Sequence, residues 1–567
     1  MGSKPLFFRE LTPRLLRIFL FASVSILVIL ALTKMRASLA NALNCRLEQW
    51  YVTLEAVRIL NYARNFGYDN NWWAGVIGQQ SFINDYGRYN GPGQDRSLPS
   101  TWLSAASGTP IAGWIIGCVL AGYLTSTFGR KMTIITICVV ALIGMVIQAA
   151  VLNYWVLMVG RLINAFSMGM PIQLDDDEHV DADIRLIGIE ANCVPMYMAE
   201  LAPASIRGGL VNFYQSWLYI GAALAAITVY ASSITLTGTW SYRTAIVAQI
   251  GPPCMLLAAI WFIPESPRWL LGKGRKEEAM KALAYMRAGA ATEEEVATEL
   301  NLIDLAMQEE RENNLATSYA DCFKGTNLRR TIIAIGVQVL QQAQGNSFTT
   351  TYLVIFLKQV GVKEPLLINV AKMCCNFGAT LLTFFLTDML GRRPMLMGGS
   401  FFMAGLMWTV SGVSAWSPGG PSNTAAQGVV AAILLYGAFA AACWGSVMWT
   451  VTTTMLGFVT SLLITYINPF VQNEPGYLGA KVGMIYGSIS VLALIFVFLV
   501  VPEMSGRSLE ELDELFRAKV PAWKSKDYVC TGIGTQITHI QNIEGKRVSI
   551  DRAQSVSREA QGNDVKK

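Results

Sequence analysis

Two charged side chains stand where the sequence is otherwise apolar: Asp69, in the string Phe66-Gly67-Tyr68-Asp69, and Arg161, inside the run 154–169. An ionisable group within a membrane-length apolar segment is costly and reads as functional by default. A carboxylate and a guanidinium in such surroundings can take up a proton or hold an ion. Two basic turns are set apart in the same way. Phe128-Gly129-Arg130-Lys131 and Leu390-Gly391-Arg392-Arg393 each sit between two apolar stretches, about 260 residues apart. Covalent chemistry finds little to work with. His179 and His539 are the only histidines, the ten cysteines show no metal-ligand spacing, and no nucleophile–base pair or phosphate-cradling loop is present. The expectation is no enzyme, no metal and no cofactor.

The elements that must position these groups follow from composition. Of 567 residues, 53% are hydrophobic and 15% charged, against about 25% charged in an ordinary soluble domain. About 20 apolar residues cross the hydrocarbon core, and short Lys/Arg turns stay on the cytoplasmic side. Apolar runs lie at 104–125, 132–152, 154–169, 209–235, 244–263, 331–357, 366–388, 395–415, 427–471 and 480–501. The net charge of +5 suits cytoplasmic loops and gives no reason to invoke nucleic acid. The reading is an all-α membrane protein of about twelve spans in two related six-helix halves. It divides into an atypical segment 1–65, a first half 66–263, a charged cytoplasmic linker 264–330, a second half 331–501 and a tail 502–567. Parallel repeats of this kind are an organisation used by secondary transporters.

Three places break the pattern. Residues 170–188 carry Asp175-Asp176-Asp177-Glu178, Asp181 and Asp183, each costing roughly 2.5–3.5 kcal/mol at mid-membrane. Without these 19 residues, Arg161–Gly169 joins Ile189–Glu200 as one span. The stretch reads as an insertion, with a genuine loop as the alternative. No charge occurs from Pro394 to Asn473, so the loop near 452–456 between spans 10 and 11 is expected to be shortened. An apolar run at 17–33, flanked by Arg14, Arg17, Lys34 and Arg36, reads as an extra anchor, a signal-anchor segment or a displaced first half of span 1.

Longer motifs then carry a resemblance. Gly129-Arg130-Lys131, Gly391-Arg392-Arg393, Arg161, Tyr197-Met198-Ala199-Glu200-Leu201-Ala202-Pro203 with Arg207-Gly208, Pro264-Glu265-Ser266-Pro267-Arg268-Trp269-Leu270, Gln341-Gln342 and Pro502-Glu503-Met504-Ser505-Gly506-Arg507 occur in this order. Together they resemble the sugar porters of the major facilitator superfamily, in the style of fungal members, over about residues 66–516. The resemblance implies a cytoplasmic gating network of Gly129, Arg130, Lys131, Glu200, Arg207, Glu265, Arg268, Asp388, Gly391, Arg392 and Arg393. Asp388 completes the second turn, whereas Ser126 stands at the matching place in the first. The counterpart of Glu265 and Arg268 is expected after span 10, where Thr454 replaces the family's Glu.

The same resemblance implies that Asp69 takes up a proton, with Arg161 holding it ionised until then. The plainer reading of Asp69 is a helix cap. Substrate positions are implied at Gln215, Gln341, Gln342 and Trp449, with Ser347 where the family usually has Asn. An amide offers the donor and acceptor that adjacent hydroxyls require, although glutamines also bridge helices structurally. The implied function is proton-coupled uptake of a neutral mono- or oligosaccharide by a monomeric carrier at the plasma membrane. No Lys or Arg beyond Arg161 is counted within a span, which places neutral solutes ahead of acids. A carrier of a polyol or quinate-like solute, a sugar sensor, and a non-functional product of a mis-spliced gene are the alternatives.

Overall fold

A bilayer offers backbone amides no water, so apolar segments of this length must fold as helices and pair their own polar groups. The computed structural model describes Arg64, residues 66–89, 96–128, 130–150, 153–168, 207–260, 265–286, 325–415, 423–445, 451–473 and 476–503, pieces of 294–308, most of 514–525 and Tyr528. The run 17–33 and the insertion 170–188 lie outside them.

Twelve spans can be traced among these residues. Span 1 covers 66–76 and continues as Gln80–Tyr86. Spans 2 to 5 are Ser100–Phe128, Arg130–Ala150, a segment that begins with Tyr154–Met168, and Arg207–Thr235. Span 6 is Trp240–Ala248 followed by Gly251–Ile260. Span 7 comes in pieces: Gly325–Gln341, a π-helical turn Gln342–Asn346, Ser347–Thr351 and Leu353–Gln359. Spans 8 and 9 are Pro365–Leu390 and Arg392–Ala415, and span 10 is Asn423–Phe439 with a π-helical end Ala440–Trp444. Spans 11 and 12 are Val451–Gln472 and Val482–Val500. Among the described residues five helices, within spans 5, 8, 9, 10 and 12, are long and apolar enough by themselves to cross a membrane.

Residues 452–456, where a shortened loop is expected, are helical within span 11, which begins at Val451. The π-helical end of span 10 and Gly445 leave the helix before the Thr-rich stretch begins, and the helix then keeps its own amides paired. The linker is partly helical, as Pro267–Gly272 and Lys276–Met286, and buries Trp269, Leu271 and Leu283 in a small core of its own. Part of the tail packs against span 7, where Arg330 lies over the Phe516 ring, 4.9 Å from its centroid. Leu515, Phe516 and Ala522 are buried, and Arg329 Nη2 donates to the Val520 carbonyl at 2.8 Å.

The two halves meet along span 2 against span 11 and span 5 against span 8. At the end remote from the basic turns one apolar core crosses both halves, with Trp73, Ile77 and Phe82 from the first and Leu353, Phe356 and Leu357 from the second. Trp73 and Tyr242 both pack edge-on against Phe82, and Ser104 Oγ donates to the Tyr466 carbonyl at 2.8 Å.

Helix interruptions release carbonyls inside the membrane, and neighbouring spans take them. Pro110 has no N–H for the Ala106 carbonyl, which Arg161 binds instead at 2.7 Å. Pro469 likewise frees the Thr465 carbonyl for Tyr352 Oη, also at 2.7 Å. In the π-helical turn of span 7, Tyr436 Oη donates to the Gln344 carbonyl at 3.0 Å.

Candidate functional site

Spans 1, 2 and 4 of the first half and spans 7 and 11 of the second line a cavity of ≈ 110 Å³. The first half supplies Asp69, Trp73, Ser107, Trp114, Arg161 and Asn164 to its wall. The second supplies Gln342, Asn346, Ser347, Thr350, Phe458 and Ser461.

Asp69 is the fourth residue of helix 66–76, and its carboxylate is met by side-chain donors of Trp72 and Asn164, which sets aside the cap reading. Its Oδ1 accepts from Trp72 Nε1 (3.2 Å) and its Oδ2 from Asn164 Nδ2 (2.9 Å). The buried Gln249 amide, turned to suit its neighbours, places its nitrogen 2.6 Å from Oδ1. Every neighbour of the carboxylate therefore donates. Arg161 lines the same cavity but spends its hydrogen bond on the Ala106 carbonyl, while its guanidinium stacks over Trp73, 3.9 Å from the ring centroid. The two charges share one wall without being each other's hydrogen-bond partner.

On the opposite wall Ser347 Oγ donates to Gln342 Oε1 at 3.0 Å and lies 2.9 Å from Ser461 Oγ. Two buried polar atoms of the cavity wall, Trp114 Nε1 and Asn164 Oδ1, have no partner. Uncharged donors and acceptors beside the faces of Trp73, Trp114 and Phe458 suit a ligand with hydroxyl groups and an apolar ring face.

The implied substrate residues separate. Gln342 and Ser347 line the cavity, and Gln341 does not. Gln341 Nε2 donates to the Trp444 carbonyl at 2.7 Å and ties span 7 to the π-helical end of span 10. Gln215 is buried on span 5 with Oε1 unpartnered, away from the cavity lining. Trp449 lies outside the described residues. Asn164 and Thr350 were legible only as companions, each three residues after a named position and so on the same helix face.

One expectation about charge is corrected. Lys372 is a second basic residue within a span, 2% exposed about two turns into span 8. A lone Lys in a 26-residue apolar helix is easily passed over in a charge count, because it interrupts neither length nor hydropathy.

At the basic turns the structure shows a repeated contact. The Glu265 carboxylate accepts from the Lys131 backbone N–H (3.1 and 3.3 Å), capping the start of span 3. Glu503 accepts from the Arg392 and Arg393 N–H groups (3.2 Å each), capping the start of span 9. The partner of Glu265 in the second half is thus Glu503, after span 12, and not a residue after span 10. The two PE strings occupy equivalent ends of their halves, which loop-by-loop matching obscured. Gly391, at φ +85°, makes the turn that admits the carboxylate: a Cβ there would lie 2.9 Å from Glu503 Oε2. Gly129 and Glu200 lie outside the described residues, as do the side chains of Arg130, Arg207, Arg268 and Asp388.

A carboxylate on a helix N-terminus is worth about 1 kcal/mol as cap and dipole partner. Glu503→Ala is therefore expected to lower the melting temperature of purified protein more than Glu503→Gln, which keeps an acceptor. Equal melting of both variants and the parent would remove the cap from the account.

With this geometry in hand, comparison with known proteins is direct. The family described as Sugar (and other) transporter matches residues 62–174 and 186–516, so residues 175–185 fall between the matched stretches. The chain is 29% identical over 490 residues to a probable glucose transporter, rco-3, of Neurospora crassa, covering 82% of this chain and 78% of that one. It is 30% identical to the high glucose sensor RGT2 of Saccharomyces cerevisiae, over 71% of this chain and about half (53%) of the sensor. The low-affinity glucose transporter HXT3 of the same yeast is 26% identical, with 82% of each chain covered. Among solved structures, the inward-open xylose transporter XylE from E. coli superposes with a TM-score of 0.64 at 21% identity, over 82% of this chain and 99% of that one; this likeness speaks to fold.

Proposed function

Because the chain belongs to the sugar transporter family and has the major facilitator fold of two six-helix halves, we propose that it carries a neutral sugar together with a proton, alternating its cavity between the two sides of the membrane. The observation that carries this reading is the cavity itself. Hydroxyl-binding groups (Gln342, Asn346, Ser347) face aromatic rings (Trp73, Trp114), and a carboxylate, Asp69, stands in the same wall. Lys372 does not favour an acid ligand, since its Nζ is bonded to the Thr349 carbonyl and it is not among the residues lining the cavity. The glucose transporters among the relatives favour a hexose. The chain acts as a monomer at the plasma membrane, and residues 170–188 are an insertion, in keeping with the gap in the family match.

The test is uptake of labelled glucose, xylose, a polyol and quinate in cells lacking their own hexose carriers, by the full chain and by one without residues 170–188. Uncoupler-sensitive accumulation of a sugar by either chain supports the proposal. Surface-expressed chains that accumulate none of the four overturn it. The deletion is expected to carry at least as much sugar as the full chain; loss on deletion would make 170–188 a working loop. Within that assay Gln342→Ala and Asn346→Ala are each expected to raise the half-saturating sugar concentration about tenfold, the equivalent of one good hydrogen bond. Gln341→Ala is expected to lower protein amount instead. Unchanged half-saturation in the first two would move the sugar elsewhere.

The similarity to a glucose sensor supports a second reading, in which sugar is bound and signalled rather than moved. Saturable sugar binding by the purified chain, with no uptake or exchange in vesicles, would decide for it.

A further inference from the structure

Span 7 is interrupted twice, once in its π-helical turn and again at Tyr352, whose φ of −111° and ψ of 4° end the segment Ser347–Thr351. At the second break the Thr349 carbonyl has a side-chain partner from another span. That partner is Lys372, its Nζ donating at 2.7 Å from span 8. Inside a membrane a freed carbonyl and a buried Lys Nζ have no water to turn to, and without this bond both would be stranded. The first half uses the same device, where Arg161 takes the carbonyl that Pro110 releases.

The stem of Lys372 is held from two sides. Span 10 passes so close that a Cβ on Gly437 would lie 3.3 Å from Cγ and Cε of the lysine. Asn376, one turn along span 8, turns its amide to donate to the Gly437 carbonyl (3.0 Å) and the Lys372 carbonyl (3.2 Å). Spans 8 and 10 thus form a base from which one side chain reaches the break.

Beyond the break lies Leu353–Gln359, which closes the protein at the end remote from the basic turns. Val354 is fully buried there, and a Cβ on Gly78 of span 1 would come 2.2 Å from its side chain. Opening the cavity on that side requires this segment to leave span 1, pivoting about Tyr352.

We propose that Lys372 is a positioning residue that pins the outer segment of span 7 in its closed place by occupying the Thr349 carbonyl at the pivot. The proposal rests on the alternating-access reading, but its test needs no sugar. Val354→Cys in the full chain reports closure: on intact cells a membrane-impermeant thiol reagent reaches it only when the segment swings away. The chain without this substitution, labelled in parallel, gives the background of its own ten cysteines. Adding Lys372→Met is expected to raise the labelling rate per surface molecule at least about fivefold, the low end of a typical conformational coupling. Lys372→Arg, which keeps a donor, is expected to return it to within about twofold of the parent on the same scale. An unchanged rate with Met overturns the proposal, as does a rate with Arg equal to that with Met. A Met variant that only loses surface protein and melts earlier, at an unaltered rate per molecule, also overturns it. Faster labelling in a chain that carries no sugar leaves the pin standing and removes the transport reading.

Discussion

Asp69→Asn is expected to abolish uncoupler-sensitive accumulation while leaving exchange of sugar across the membrane intact. A potential of about 100 mV gives one proton roughly 2.3 kcal/mol, enough for about 50-fold accumulation of a neutral solute. A carrier that cannot take the proton can only equilibrate, so the ratio falls to about 1. Asn has the shape of Asp and keeps one acceptor oxygen for Trp72, so the fold is retained. What it lacks is the change of charge. In the parent, Oδ1 and Oδ2 face donors only, from Trp72, Asn164 and Gln249. A proton arriving on Oδ2 would meet the N–H of Asn164, and that amide must turn. Asn164 is also in the cavity wall, with its own oxygen unpartnered, so the turn presents a different group to a bound sugar. On the proposed symport reading, proton and sugar would be linked through one side chain. Asn164→Ala is then expected to uncouple as well. Measuring accumulation ratio and counterflow side by side decides the matter: a variant at position 69 that still accumulates sugar in an uncoupler-sensitive way would remove Asp69 from the coupling.

Much of this arrangement is legible in the sequence, and what is not follows a pattern. Apolar runs mark eleven of the twelve spans, with two of them inside 427–471, because a bilayer allows few other solutions. Span 1, with its Asp69 and paired asparagines, falls outside them. Asp69 and Arg161 were legible because charge is rare in such runs. Their relation was not. Opposite charges suggest an ion pair, but Pro110 creates a carbonyl that Arg161 is placed to serve, and only the packing of span 4 on span 2 reveals it. The adjacent Gln341 and Gln342 look equivalent as a pair. A step of 100° along a helix sends one to the Trp444 carbonyl and the other to the cavity. Lys372 was missed for the converse reason: nothing in a sequence marks which carbonyl, 23 residues away, will need it. Breaks are visible as Pro and Gly, whereas the groups that repair them are visible only in the fold.

The break at Gly345 gives the second large effect. Gly345→Ala is expected to destabilise the protein by about 2–3 kcal/mol and to cut transport by more than tenfold per surface molecule. The backbone there has φ +107°, which side chains other than glycine's rarely adopt. A Cβ would lie 3.0 Å from Tyr486 Cγ and 3.4 Å from the Tyr436 hydroxyl, the group that serves the freed Gln344 carbonyl. Tyr486 cannot retreat easily, since its ring stacks on Phe348 at 5.3 Å. The chain has two responses. It can keep the π-helical turn and bear the strain, which a lower melting temperature would show. Or it can straighten into regular helix, which absorbs the extra residue of the turn and rotates everything after it by about 100°. Asn346, Ser347 and Thr350 would then leave the cavity wall together, and transport would fail even in a protein that folds. Gly398→Ala on span 9 is the control, because a Cβ there meets nothing within 4 Å, and it is expected to match the parent in melting and uptake. Parent-like melting and uptake by Gly345→Ala would mean that span 7 needs no such break to build its side of the cavity.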